Sequence, residues 1–323
     1  MTAGQHPLPA IDRLLAEWTV TFGDRVRRNE PLAAHTTFRV GGPAEVWLAV
    51  ESAAELAQVV TLARQHGLPV MVLGSGANVL VSDAGVRGVV IENRAGQVDF
   101  PQVAEVAIGT EVELTVESGV VLPGLARRCA RHGLGGLEWA VGVPGTVGGA
   151  VVNNAGAYGS DLAHNLAQAE LLSPGGERLW QPVEWFGYEY RSSRLKKQAK
   201  KERWIVLQAR LKLQAAPAAE IEARMAAFNE RRKASQPPGA TIGSMFKNPP
   251  GDYAGRLIEA VGLKGYRQGQ AQISPIHANF FQNLGGATAT DVLTLIQTAR
   301  TAVKQHFGIE LELEIELVGE LDS

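Results

Sequence analysis

The chain has 323 residues, 45% of them hydrophobic, and a formal net charge of -2. That length exceeds one typical core and predicts two or three compact units, while the near-neutral balance offers no electrostatic footprint for nucleic acid. The single cysteine, Cys129, excludes an internal disulfide framework and a multi-cysteine metal site. It lies in a helix-like stretch and reads as a small buried hydrophobe. No apolar run approaches the roughly 20 residues needed to cross a bilayer. The N-terminus, with its prolines, His6 and acidic residues, lacks the basic flank and apolar stretch of a signal peptide. A cytoplasmic protein without membrane, metal or obligate protein partner is the expectation.

In chain order, Ser52–Glu55 reads as a capping box that opens a helix running to His66, with Gly67 as its stop. Pro69–Leu73 is a buried strand leading into the turn Gly74-Ser75-Gly76-Ala77-Asn78. Further strands are predicted at Val86–Ile91, Val103–Ile108 and Glu111–Val116, then a helix at Leu122–His132. A second glycine-rich stretch, Gly133–Gly159, follows. Ala169–Ser173 and Glu177–Gln181 form a hairpin across Pro174, Gly175 and Gly176, and Trp204–Leu213 is another strand. Pro217 starts a long charged helix to about Lys233, ended by Pro237-Pro238-Gly239. Helices follow at Ala254–Val261 and Thr290–Phe307, the latter closed by Gly308. The last strand, Ile309–Val318, alternates: Ile309, Leu311, Leu313, Ile315 and Leu317 face one way, and Glu310, Glu312, Glu314 and Glu316 the other. The result is an α+β chain of several units, with boundaries near 83 and 214.

Five places carry candidate chemistry. At Gly74–Asn78, continuing to Leu80, glycines let backbone N–H groups converge on an anion. The turn is neither a P-loop nor a good Rossmann fingerprint, and a tight structural turn is the competing reading. Gly142-Val143-Pro144-Gly145-Thr146-Val147-Gly148-Gly149, with Asn153 and Asn154, forms a surface that a flat ring or pyrophosphate can approach closely; a packed crossing of two elements competes. Arg191 sits among Tyr188, Tyr190 and serines, where its fork suits a carboxylate, although a surface arginine would read the same. The lysines at 196, 197, 200 and 201 read as a solvated loop. Ser244 follows a glycine but lacks a nucleophile elbow or triad. Among the glutamates of the last strand, one that becomes buried would gain proton affinity; alternation does not say which.

Together and in order these segments closely resemble the UDP-N-acetylenolpyruvoylglucosamine reductase family (UDP-N-acetylmuramate dehydrogenase, MurB). The resemblance is carried by His35–Gly42, Val72–Leu80, Gly142–Gly149, Asn154–Gly159, Tyr190–Ser193, Gly243–Pro249, Ala254–Ala260, Gly262–Gly265, Ser274–Phe280 and Leu311–Ile315. It spans roughly residues 30 to 319 and looks like the shorter type II branch. It implies a three-unit flavoprotein of the FAD-binding, vanillyl-alcohol-oxidase-like (PCMH) fold with a C-terminal substrate-binding α+β domain. The implied units are 1–82, to which 308–323 return, 83–213 and 214–307.

The resemblance implies a two-stage reaction in peptidoglycan synthesis. NADPH reduces non-covalently held FAD, and the flavin then passes a hydride to the vinyl carbon of UDP-N-acetylglucosamine enolpyruvate, giving UDP-N-acetylmuramate. It assigns the substrate carboxylate to Arg191, the proton to Ser244, and charge stabilisation to Glu314, with Glu312 as the fallback. FAD would be met by Gly74, Ser75, Gly76, Ala77, Asn78, Leu80, Gly142, Val143, Pro144, Gly145, Thr146, Gly148, Gly149, Asn154 and Arg232. The UDP-sugar would be met by Tyr158, Tyr190, Lys247, Asn248, Arg256 and His277. Three positions depart from the family's habit: Ala77 for serine, Asn153 for methionine, and Ser235 for a lysine. The last leaves Lys233 as the nearest cation for the diphosphate. Another flavoenzyme of this fold, such as an oxidase, and a non-catalytic nucleotide-binding regulator are the competing readings; the regulator requires that Arg191, Ser244 and Glu314 lie apart.

Overall fold

The computed structural model describes residues 10–102, 106–199 and 202–321. In the first unit, helix α1 (Ala10–Phe22) precedes β1 (Val26–Pro31) and β2 (Pro43–Val50). Helix α2 (Ala53–Gln65) leads to β3 (Val70–Leu73), β4 (Val79–Val81) and β5 (Val86–Asn93). The sheet order is β1-β2-β5-β3, parallel except for β1. Strand β2 is buried on both faces, as a strand covered on both sides must be. Val46, Leu48 and Val50 meet Trp18, Leu56 and Val60 of the helices, while Trp47 and Ala49 meet Leu73, Val81 and Val90. Because β5 belongs to this sheet, the first unit's chain continues past residue 83 to Asn93.

Only half of the expected capping box forms at α2. Ser52 caps the Glu55 N–H, but the Glu55 carboxylate accepts from the Glu51 N–H and from Arg25 instead of closing the box. Gly67 follows the helix at φ +69°. Strand β3 starts one residue after Pro69 and is half-buried along most of its length.

The second unit runs through β6 (Val98–Asp99), β7 (Glu111–Glu117), α3 (Leu122–Arg131), β8 (Leu134–Gly135) and α4 (Val147–Asn153). Then come β9 (Gly156–Ala157), β10 (Ser160–Asp161), α5 (Leu162–Asn165), β11 (Leu166–Leu172), β12 (Arg178–Pro182), α6 (Arg194–Lys197) and β13 (Ile205–Ala215). The sheet is antiparallel, β12-β11-β13-β7-β6, with β8 on β13. The expected hairpin is β11–β12, Ala169 opposite Gln181. Of the strand expected at Val103–Ile108, residues 103–105 lie outside the described residues. Val106–Ile108 is not extended pairing chain: it leads into a turn in which Ile108 is 75% exposed. Cys129 is buried in this unit's core, which pushes its thiol up to about 12.

The third stretch holds α7 (Ala218–Ser235), β14 (Ala240–Ser244), α8 (Ala254–Ala260), β15 (Arg267–Gln268), β16 (Ala271–Ile273), β17 (Phe280–Asn283), α9 (Ala289–Phe307) and β18 (Glu316–Val318). Helix α7 packs Ile221 and Met225 into the second unit's core. The sheet β14-β17-β16-β15 is backed by α8 and α9, which share one core with Phe246, Ile273 and Phe281. Helix α9 opens on a full capping box, Thr288 with Asp291, and Asp83 of the first unit also accepts its first N–H groups. Gly308 ends it at φ +71°.

The final segment differs from the single strand expected at Ile309–Val318. It bends at Glu314–Ile315, and only Glu316–Val318 is strand, parallel to β4. The apolar half of the alternation holds, since Leu311 and Ile315 are core residues. No described helix is long and apolar enough to cross a membrane.

Candidate active site

Four segments from three parts of the chain converge around Glu314. The bend carrying Glu314 runs antiparallel to the segment after β14: Phe246 bridges Leu313, the Lys247 N–H reaches the Glu312 carbonyl at 2.8 Å, and the Glu314 N–H reaches the Met245 carbonyl at 3.0 Å. Ser244 immediately precedes Met245, the residue paired with Glu314. Its direction is set by Gly243, at φ +85°, inside a register shift between Thr241 and Ser244. A bulge of this kind re-aims the next side chain. Asn279 clamps the same stretch. It accepts from the Phe246 N–H at 2.9 Å and donates to the Phe246 carbonyl at 2.8 Å, and its own carbonyl holds the Met245 N–H.

Arg191 approaches from the second unit. Its Nε lies 2.8 Å from Glu314 Oε1, and its terminal nitrogens donate to the carbonyls of Asn154 and Gly156. Arg191 holds φ +54°, which a non-glycine residue adopts only when its surroundings impose it. Asn154, itself left-handed at the end of α4, imposes part of that geometry: its side chain donates to Asp161 and to the Glu189 carbonyl and accepts from the Ala163 N–H. Those bonds fix the Asn154 side chain, and its backbone carbonyl is the one that receives Arg191. Burial raises the proton affinity of Glu314, and Arg191, Lys196 and Lys247 only partly offset that effect. Glu312, the fallback, is exposed and paired with Lys247. Burial distinguishes the two glutamates where alternation did not.

Asn78 ties this cluster to the first glycine turn. Its side chain donates to the Glu314 carbonyl at 3.2 Å, and its carbonyl accepts the Glu316 N–H at 2.9 Å. Thr37 adds a second tie, donating to the Thr241 carbonyl at 3.1 Å while its N–H meets the Gly76 carbonyl. Among the described residues, the backbone N–H groups of Ser75, Gly76 and Ala77 have no acceptor, and the buried Ser75 Oγ has no partner. Buried donors are almost always satisfied, so this turn has the donor set of an anion site and fits a diphosphate. Leu80, by contrast, is fully buried in the apolar core, so it is a packing residue and not a cofactor contact.

The second glycine stretch lies against the first: a Cβ on Gly74 would stand 2.5 Å from Thr146 Oγ1. Here the protein satisfies its own donors. Val147 and Gly148 give their N–H groups to Val120 and Ser118, and Gly149 gives its own to the Thr146 cap. Gly142–Gly149 is thus a close-packed wall in which Gly142 admits Arg232, whose Cδ lies 2.6 Å from where a Cβ would be. Burial lowers the Arg232 proton affinity. Lys233 is exposed and paired with Glu230. Gly145 sits at φ +131° with open space around it, beside Val143 and Pro144.

The expected substrate residues divide. Tyr190, Lys247 and Asn248 line an open pocket of about 630 Å³ together with Lys196, Lys197 and Glu312, although the Asn248 side chain also accepts the first N–H of α8. Tyr158 stacks on Phe228 at 4.4 Å and donates to that residue's carbonyl. Arg256 and His277 do not line this pocket. Arg256 pairs with Asp252 and lies over Phe307; His277 packs against Gly255 and accepts the Asn279 N–H, and burial lowers its proton affinity.

Three residues of the cluster were not singled out from the sequence. Thr37 and Asn279 were visible only as motif letters. Lys196 was read as solvated with its lysine neighbours; Lys200 and Lys201 lie outside the described residues. In the one-turn helix α6 Lys196 is half-buried, while Lys197 is exposed and pairs with Glu189.

Comparison with known proteins agrees along the chain. Residues 234–318 match the family model described as UDP-N-acetylenolpyruvoylglucosamine reductase, C-terminal domain, and residues 44–181 match the FAD binding domain model. The chain is 47% identical to a UDP-N-acetylenolpyruvoylglucosamine reductase of Chloroflexus aggregans, over 91% of this chain and 97% of that one. It is also 47% identical to the reductase 2 of Symbiobacterium thermophilum, over 91% and 92%. A crystal structure of the Thermus caldophilus enzyme superposes with a TM-score of 0.74 at 39% identity, covering 91% of this chain and 99% of that one.

Proposed function

The chain belongs to the UDP-N-acetylenolpyruvoylglucosamine reductase family, and on that premise we propose that it reduces UDP-N-acetylglucosamine enolpyruvate to UDP-N-acetylmuramate at the Arg191–Ser244–Glu314 cluster, with NADPH as reductant. It is an FAD-dependent oxidoreductase of peptidoglycan synthesis, with the α+β, vanillyl-alcohol-oxidase-like flavoprotein fold. The observation that carries the site reading is the meeting of three segments: Glu314 hydrogen-bonds Met245, next to Ser244, and lies 2.8 Å from Arg191.

The donors of Ser75, Gly76 and Ala77 would hold the FAD diphosphate, with Arg232 as the adjacent cation. When bound, FAD supplies the two-electron relay between NADPH and the vinyl group. The rest falls to this chain's residues. Reduction at the vinyl terminus leaves negative charge on the α carbon and carboxylate, and Arg191 meets that charge where it develops. Ser244 gives the proton to the α carbon; a hydroxyl is a weak acid in water, but the enolate-like carbon is a strong base at contact distance. Arrival of a substrate carboxylate beside Glu314 adds a like charge to a carboxyl that burial already disfavours. That raised proton affinity suits Glu314 to assist in stabilising the developing charge. Tyr190 and Lys247 line the pocket for the UDP-sugar.

Anaerobic titration tests the reading. The purified protein is expected to be yellow, to bleach with NADPH, and to recover its oxidised spectrum on addition of UDP-N-acetylglucosamine enolpyruvate. Rapid reoxidation by oxygen with no response to the UDP-sugar would overturn it in favour of an oxidase.

A further inference from the structure

One ammonium group joins the two halves of the candidate site. Lys196 Nζ donates to the Arg191 carbonyl at 3.3 Å and to the Glu314 carbonyl at 3.2 Å. These carbonyls belong to the two irregular points of the cluster: Arg191 is left-handed, and Glu314 sits at the bend that interrupts the last strand. Neither conformation is self-sustaining. A residue held at positive φ costs about 1–3 kcal/mol unless its surroundings fix it, and the bend leaves the Glu314 carbonyl outside any strand ladder. An ammonium has three donors and no acceptor; two are spent here, and Lys196 also lines the pocket.

We propose that Lys196 is a positioning residue, holding the backbones of Arg191 and Glu314 so that their side chains stay at ion-pair distance; the inference rests on the reading that this pair acts in the reaction. Half-burial is consistent with the role. Desolvation and Lys247 both disfavour the Lys196 charge, and Glu314, Glu316 and Glu312 favour it, so the site keeps an expensive cation where an apolar side chain would fill the space more cheaply. A solvated lysine could not do this: bonds to two carbonyls from different units need a head group held in one place.

The test uses the full-length flavoprotein and stopped-flow measurement of each half-reaction. Lys196→Met is expected to slow reoxidation by UDP-N-acetylglucosamine enolpyruvate 10- to 100-fold, as lost orientation does, while changing reduction by NADPH less than threefold. Lys196→Arg, which keeps the charge and the donors, is expected to recover at least part of the loss. The decisive readout is a cycle with Glu314→Gln. If Lys196 acts through Glu314, adding Lys196→Met to Glu314→Gln slows reoxidation less than threefold further. Fully multiplicative losses, or equal slowing of both half-reactions, would overturn the proposal. Should Lys196→Met fail to retain flavin, Lys196→Gln is read by the same criteria. If Glu314→Gln and Arg191→Lys alone leave reoxidation unchanged, the site reading fails and the positioning proposal fails with it. If they are slow and Lys196→Met is not, only the positioning proposal fails.

Discussion

Arg191 and Glu314 meet at 2.8 Å although one comes from the second unit and the other from the final segment of the chain. Neither residue is placed by its own secondary structure. Arg191 is held left-handed by its bonds to the Asn154 and Gly156 carbonyls, and Glu314 is held at a bend by Met245, Asn78 and Lys196. The pair is a product of tertiary structure, and its properties follow from burial more than from its attraction.

Glu314→Gln is the first consequence. Burial raises the Glu314 proton affinity despite Arg191, so its folded pKa lies above its unfolded value. Stability linked to this group is present at low pH and is lost as pH rises through the folded value. Replacing the carboxyl by a neutral amide removes that loss. Glu314→Gln is expected to lower the rate of reoxidation by substrate at least tenfold while leaving Tm at pH 8 equal to or above that of the unchanged protein. A fall in Tm of several degrees would show that the ion pair, and not desolvation, dominates.

Gly74→Ala tests the join between the two glycine stretches. The new Cβ would stand 2.5 Å from Thr146 Oγ1 and 3.1 Å from its Cγ2, forcing the turn proposed to hold FAD away from its wall. Weaker FAD binding by roughly tenfold is expected, from the 1–3 kcal/mol that overpacking costs. Thr146→Ala removes both contacting atoms and should restore part of the affinity, less the cost of the lost helix cap. Unchanged FAD affinity in Gly74→Ala would separate the turn from the cofactor site.

His35 lies between two carboxylates, Glu92 at 2.6 Å and Glu30 at 2.9 Å, and its carbonyl abuts Gly76. The hydrogen bond from His35, with help from Arg27, holds the Glu30 carboxyl below its ordinary range. Stability from Glu30 is therefore present above the unfolded carboxylate pKa and lost as pH falls through the lower folded value. Glu30→Gln is expected to flatten the acid side of a Tm-against-pH curve. A curve that keeps its full acid slope would remove Glu30 from this role.

Much of the frame was legible in the sequence because it depends on local periodicity. The hairpin β11–β12, the long helix α9 with its Gly308 stop, and the strand before Gly74 follow from patterning and turn chemistry. The motifs named Arg191, Ser244 and Glu314 without locating them. What patterning missed depends on distant partners. The last strand breaks at Glu314, where Met245 and Asn78 take its backbone groups, and Lys196 turns inward because the carbonyls of Arg191 and Glu314 are there to receive its ammonium. The motifs likewise do not show that the Asn154 side chain bonds Asp161, Ala163 and Glu189, or that His277 Nδ1 accepts from Asn279, because those partners lie in other turns of the chain. Leu80 was misassigned because a strand residue next to a glycine turn looks accessible until its neighbours in the core are known.

The proposed second half-reaction depends on a proton from Ser244, the residue before the Met245 whose carbonyl holds the Glu314 N–H. Stopped-flow kinetics on Ser244→Ala measures this directly. The variant is expected to hold FAD and be reduced by NADPH at the normal rate, yet to lose reoxidation by UDP-N-acetylglucosamine enolpyruvate by orders of magnitude, as removal of a proton donor requires. Equal slowing of both half-reactions, or reoxidation at the unchanged rate, would contradict the account.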